Sequence, residues 1–162
     1  MQIQIEHAQP GDLAAVVRIE RLGFSAAEAG TPDAFLERIN RLKDTFLVAK
    51  IAGQVVGFVV GPAVAEPFVT DDMYIHTPTN LPRGGHQLIL SIATDPAYRG
   101  NGIGGQLLAA LEQEARAAHR LTMSLDSLAK NVPFYEHHGF HKARVSDSTH
   151  ASETWYSLVK DL

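Results

Sequence analysis

The sequence predicts a mixed α/β fold arranged around one central sheet. Three observations carry this. Thr45–Ile51 and Val55–Val60 are β-rich runs separated only by Ala52, Gly53 and Gln54, a hairpin signal. The apolar run His86–Thr94 leads through a glycine cluster into a helical pattern, the order of a strand followed by a helix. Two further β-rich runs, about His141–Val145 and Glu153–Val159, close the chain. A chain of 162 residues with 45% hydrophobic and 20% charged residues has enough apolar surface for one core, so a single domain spanning 1–162 is expected.

The remaining elements follow in order. Gln2–Glu6 alternates as a short strand, and Pro10, Gly11 and Asp12 open a helix whose Leu13, Val16, Val17 and Ile19 recur at helical spacing. Thr31 caps a second helix with Pro32 in its first turn. Ala65–Gly85, rich in Pro, Thr, Asp and Gly, reads as a loop long enough to carry function. A helix runs from about Gly102 to Ala118, Leu121–Leu125 is a strand, and a short helix from about Asn131 to His138 stops at Gly139. The sheet is expected to be antiparallel at both ends.

Composition narrows the chemistry. A net charge of −4 supplies no basic field for nucleic acid or an anionic lipid surface, and neither is expected as a partner. Ile51–Val69, the most apolar stretch, is broken by Gln54, Gly57, Gly61, Pro62, Glu66 and Pro67, against a membrane span. Met1–Pro10 carries Glu6 and His7 and does not read as a signal peptide, so a cytoplasmic protein is expected. Without cysteine there is no disulfide, thiolate metal site or cysteine nucleophile. The eight histidines are scattered, and His137 and His138 are neighbours that a helix points apart, so no metal is expected.

Gly100, Asn101, Gly102, Ile103, Gly104 and Gly105 match G-x-G-x-x-G, with Asp126 at the end of the next strand as in a dinucleotide fold. In that motif the first glycine turns straight off its strand, whereas Asp95, Pro96, Ala97, Tyr98 and Arg99 intervene here. The alternative parse, Arg99 to Gly104, fits [Q/R]-x-x-G-x-[G/A] after an apolar strand. Such a loop brings backbone N–H groups and a helix dipole to a pyrophosphate, with Arg99 adding a full positive charge. With Asn131, Val132, Pro133, Phe134, Tyr135, Gly139 and Phe140 downstream, the sequence resembles the GCN5-related N-acetyltransferase (GNAT) superfamily over most of its length.

The resemblance implies a V-shaped sheet that binds acetyl-coenzyme A where Ile92, Ala93 and Thr94 part from Leu121–Leu125. Arg99, Gly100, Asn101, Gly102, Ile103, Gly104 and Gly105 would take the pyrophosphate, and Asn131 the pantetheine arm. Tyr135 would be the general acid, because a phenol stays protonated at neutral pH and can give its proton to a departing thiolate. Within the superfamily, Gly84, Gly85 and His86, with Val132 to Glu136, are most similar to the arylalkylamine N-acetyltransferases, whose amine-pocket residues correspond to Phe24 and Pro32. Two histidines that help deprotonate the amine there fall at Leu88 and Leu90 here. His86, backed by Glu66 and Asp72, becomes the candidate base.

A small-molecule amine acceptor is expected, with the protein a monomer or homodimer. The alternatives are a polyamine, an amino sugar antibiotic or a protein amine as acceptor, favoured by the acidic residues Glu28, Asp33, Glu66, Asp71 and Asp72, or a non-catalytic acetyl-coenzyme A binding module.

Overall fold

Continuous apolar runs in the middle strands require cover on both faces, and the computed structural model, which describes all 162 residues, supplies it. Strands β1 (Gln4–His7), β2 (Phe46–Ile51), β3 (Gln54–Val60) and β6 (Ser91–Thr94) form an antiparallel sheet in that order. On one face, Phe46, Val48, Phe58 and Val60 pack beneath helices α1 (Leu13–Gly23) and α2 (Pro32–Arg41). On the other, Leu47, Ala49 and Val59 meet Ile103, Leu107 and Leu111 of helix α3 (Ile103–Ala117). Thr31 caps α2 through its hydroxyl, which accepts from Ala34 N at 3.1 Å, and Pro32 takes the first helical position.

The second sheet runs β4 (Ala63–Val64), β5 (His86–Ile89), β7 (Thr122–Ser127), β9 (Tyr156–Asp161), β8 (His141–Val145). Only β5 and β7 are parallel; helix α4 (Val132–His137) precedes β8. The expected strand His86–Thr94 is thus two strands in different sheets, with Leu90 between them. The physical reason lies across the ladder. The strand running through β3 also changes sheet, at Gly61 and Pro62, and the two crossings lie side by side, Leu88 N donating to Pro62 O and Leu90 N to Val60 O, both at 2.8 Å. Gln87, fully buried, fills the corner: its amide donates to Gly61 O at 2.9 Å and to Leu88 O at 2.8 Å. The result is a V whose arms diverge beyond Leu90.

Within Ala65–Gly85 a 3-10 turn, Asp71–Tyr74, delivers Met73 and Tyr74 to an apolar cluster with Val64, Val69, Leu88 and Leu90. A Cβ on Gly61 would overlap the Leu88 carbonyl oxygen, which no side-chain rotation relieves. Gly61→Ala is therefore expected to destabilise the fold by at least about 3 kcal/mol, measured by urea denaturation, with an unchanged midpoint speaking against the corner as a fixed crossing.

Candidate functional site

Where the arms part, β6 has only one neighbour. It pairs with β3 from Ser91 to Thr94, and its other edge faces the gap toward β7 with unpaired main-chain groups. The gap is a cleft of about 840 Å³. Ile92, Ala93 and Thr94 line it, as do Arg99, Gly100, Gly102, Ile103, Gly104 and Gly105. Gly102 is the N-cap of α3 with φ of 74°, in the left-handed region that glycine enters without cost. The first N–H bonded back into the helix is that of Gln106, to Gly102 O at 3.0 Å. The N–H groups of the preceding turn are therefore free at the positive end of the helix dipole.

Asn101 alone of that loop does not line the cleft: its side chain folds back and donates to Tyr98 O at 2.8 Å, closing the turn. Across the cleft, Phe134 and His138 of the α4 segment pack over Gly104 and Gly105, and Asn131 lies at the same wall. Tyr135 projects from α4 between Phe134 and Phe140, ring centroids 5.1 and 5.9 Å away, and is 8% exposed. Burial pushes its phenol pKa up, and no protein group's hydrogen bond or charge opposes that.

The opposite side of the V holds a different set of groups. Glu20, from the last turn of α1, is 3% exposed and accepts from Ser91 Oγ at 2.6 Å and Gly30 N at 2.8 Å. Burial raises its pKa against those two hydrogen bonds and the more distant Arg38 guanidinium. Asp126 on β7 accepts from Ser146 Oγ at 2.6 Å and Ser157 Oγ at 3.0 Å, and burial raises it likewise. Phe24, Tyr74, His150 and Trp155 complete the wall. His150 stacks on Tyr74 with centroids 5.0 Å apart, and Trp155 Nε1 donates to His150 O at 2.8 Å.

Residues 43–142 match the acetyltransferase (GNAT) domain family. The chain belongs to that family. Over 60 residues the GNAT chain is also 40% identical to a glucosamine 6-phosphate N-acetyltransferase from Trypanosoma brucei brucei. That match covers 36% of the chain and 41% of the relative, so the chain spans about two fifths of that protein's length. Among solved structures it is similar to Ard1 from Thermoplasma volcanium, with 21% identity and a TM-score of 0.78 over 100% of this chain and 99% of that one. It is also similar to the GphF GNAT-like decarboxylase in complex with isobutyryl-CoA, with 16% identity and a TM-score of 0.83 over 98% of each chain. At such identities the structural likeness speaks for the fold.

The structure separates some residues that the sequence grouped. His86 starts β5, at the end away from the cleft, about 10 Å of strand before Ile89, and its Nδ1 lies 2.7 Å from Thr122 Oγ1. It does not line the cleft, and neither do Glu66 and Asp72. Pro32 is exposed at the start of α2 and away from the cavity, unlike Phe24, which lines it. Leu88 and Leu90 are buried with Val64, Val69 and Met73.

Glu20, Ser91, Tyr74, Asp126, His150 and Trp155 were not singled out as site residues from the sequence. Glu20 had a detectable signal: it lies three and four residues after Val17 and Val16, on the buried face of an amphipathic helix where an apolar residue belongs. The others converge only through folding. His150 belongs to a turn, His150–Ser152, in which Ala151 and Ser152 both have positive φ, 54° and 55°. Two such residues in succession cost of order 1–3 kcal/mol each, so the turn keeps its shape only through outside ties. His150→Ala removes the stack on Tyr74 and a bond to Glu28 O. It is expected to raise amide hydrogen exchange across Thr149–Glu153 by about tenfold, with unchanged protection arguing against His150 as the tie.

Proposed function

We propose that the protein transfers an acetyl group from acetyl-coenzyme A directly to a primary amine, with Tyr135 as general acid and Glu20 as general base. The observation that carries this reading is that one cleft joins an open strand edge, a glycine turn at a helix N-terminus and a buried phenol without a partner.

The chain's groups suit the coenzyme. Free N–H groups at the start of α3 and the exposed Arg99 would hold the diphosphate. The unpaired edge of Ile92–Thr94 would take the amides of the pantetheine arm as a strand is added to a sheet, with Asn131 opposite. When bound, acetyl-coenzyme A supplies an acetyl thioester. An alkylammonium is only roughly one part in a thousand neutral at pH 7, so the acceptor has to lose a proton in place. Glu20 takes that proton, directly or through Ser91, whose hydroxyl already donates to it. Tyr135 gives its proton to the departing sulfur, and its raised pKa keeps that proton available across the neutral range. The chain has no cysteine to hold the acetyl group, in keeping with direct transfer.

The acceptor side argues about the amine. Its carboxylates, Glu20, Glu28 and Asp126, disfavour a phosphorylated amino sugar of the kind named for the trypanosomal relative, because the phosphate would face like charge. An arylalkylamine would find rings at Phe24, Tyr74 and Trp155, but Leu88 and Leu90 offer no proton route, and Glu20 replaces it.

Tyr135→Phe should lower kcat about tenfold or more while calorimetry shows coenzyme A binding within a factor of two; an unchanged rate removes Tyr135 from the chemistry. Glu20 works in its ionised form, and burial raises its pKa, so kcat/KM should fall as pH drops through a value above the ordinary carboxylate range. Glu20→Gln should abolish that acid limb and lower kcat by at least ~100-fold, and a limb that survives the substitution assigns the base elsewhere.

A further inference from the structure

On the side of the V away from α3, the cleft is roofed. The roof is the β8–β9 connection, tied to the β4–β5 loop through Asp71, to itself through Trp155 and His150, and to the α1–α2 connection through His150 and Glu28. Asp71 accepts from Thr149 N at 3.0 Å and from the Ser148 hydroxyl. Trp155 donates to His150 O, and His150 Nε2 lies 3.0 Å from Glu28 O in the α1–α2 connection. Glu28 and Glu153 also meet across the same line, the hydrogen bond between them lowering Glu28 and raising Glu153. A polypeptide acceptor leaving between the β8–β9 and α1–α2 connections would meet the His150–Glu28 bond that joins them.

On this side acid outnumbers base: Glu20, Glu28 and Asp126 line the cavity against Lys130, whose charge acts on Glu28. Glu20 and Asp126 stand on the two arms of the V, one beside β6 and the other on β7. Neutral hydroxyls and a main-chain N–H are their hydrogen-bond donors, and neither forms an ion pair. The guanidinium groups behind them, Arg38 behind Glu20 and Arg144 behind Asp126, act on them through space without touching them. Arg144 pairs with Asp147 at 3.3 Å and lies 4.1 Å over the Phe68 ring, while Arg38 lies 4.7 Å over Phe35 and donates to Tyr74 O. Tyr74, pushed up by burial and then by Asp126 and Asp71, stays a neutral phenol beside Trp155 and His150. Their faces suit an ammonium group. Tyr135, 8% exposed as a residue, lines the same cavity, and no protein group bonds its hydroxyl.

We propose that the acceptor is a small dication, a short-chain diamine, enclosed under the His150 roof with its reacting nitrogen at Glu20 and its second ammonium at Asp126. This rests on the amine-acetylation reading above. Asp126 is then a specificity residue: it holds the nitrogen that does not react, so its loss acts on KM. The transfer balances: Glu20 takes the ammonium proton before attack and later releases it to water, the C–S bond breaks as the C–N bond forms, Tyr135 gives its proton to the thiolate, and the second proton leaving the nitrogen restores the Tyr135 phenol through solvent.

The test measures free thiol released from acetyl-coenzyme A with 1,4-diaminobutane, butylamine, phenethylamine and short peptides bearing free amino termini. A second measurement is calorimetry of 1,4-diaminobutane with the protein saturated in coenzyme A. The expected result is kcat/KM at least ~10-fold higher for the diamine than for either monoamine, no peptide turnover, and heat of diamine binding. Asp126→Asn, checked for an unchanged melting temperature, should raise the diamine KM about tenfold and bring it to that of butylamine, with kcat within twofold. If Asp126→Asn fails to fold, Asp126→Ser and the calorimetric arm carry the same comparison. Equal or better use of a monoamine overturns the dication, and peptide turnover overturns the roofed chamber, while either leaves amine acetylation standing. Release with none of the amines, from protein that calorimetry shows to bind coenzyme A, overturns both.

Discussion

Everything in this molecule depends on two strands that leave one sheet for another at the same level. The chain crosses at Gly61–Pro62 on the way out and at Leu90 on the way back, and the Gln87 amide satisfies carbonyls that the crossings strip of ladder partners. A buried carbonyl without a donor costs of order 1–3 kcal/mol, which makes a polar side chain the right filling for an otherwise apolar corner. Below the corner the arms are joined through the β5–β7 parallel ladder. Above it they separate, and the separation is the site. Groups from α3, β6 and α4 line one side of the gap and groups from α1, β7 and the loops the other.

The glycine-turn half of the cleft was legible because its pattern is local. Arg99 to Gly105 supplies turn, glycine and helix start in one stretch, and the strand before it is a readable apolar run. Asn131 and Tyr135 lie close together on the α4 segment. What the sequence did not carry was the break at Leu90, because Leu88, Ile89 and Leu90 are apolar on both sides of the crossing and the hydrophobic pattern does not change there. The signal for the crossing is Gly61, distant in sequence, whose missing Cβ lets β5 approach.

The opposite half was mostly invisible for the complementary reason. Glu20, Tyr74, Asp126 and His150 come from four separate parts of the chain, and each has an ordinary reading alone: a helix residue, a loop aromatic, a strand-end acid, a loop histidine. His86 attracted attention through its neighbours Gly84 and Gly85, yet it sits at the end of its strand away from the gap. Strand direction decided the matter: β5 runs toward the cleft, so the residue at its start is the one furthest from it. Pro32 was misplaced by the same kind of inference, since its role as first residue of α2 fully accounts for it.

The free edge of β6 also bears on how the protein behaves in a crowded solution. An unpaired strand edge is a template for another chain, and proteins usually blunt such edges with charge, proline or a covering element. Here the edge is recessed between two sheets, where an extended single chain can enter but a second folded sheet has no room to follow. The same recess that leaves room for a slender chain therefore works against edge-to-edge self-association, by shape in place of charge, proline or a covering element.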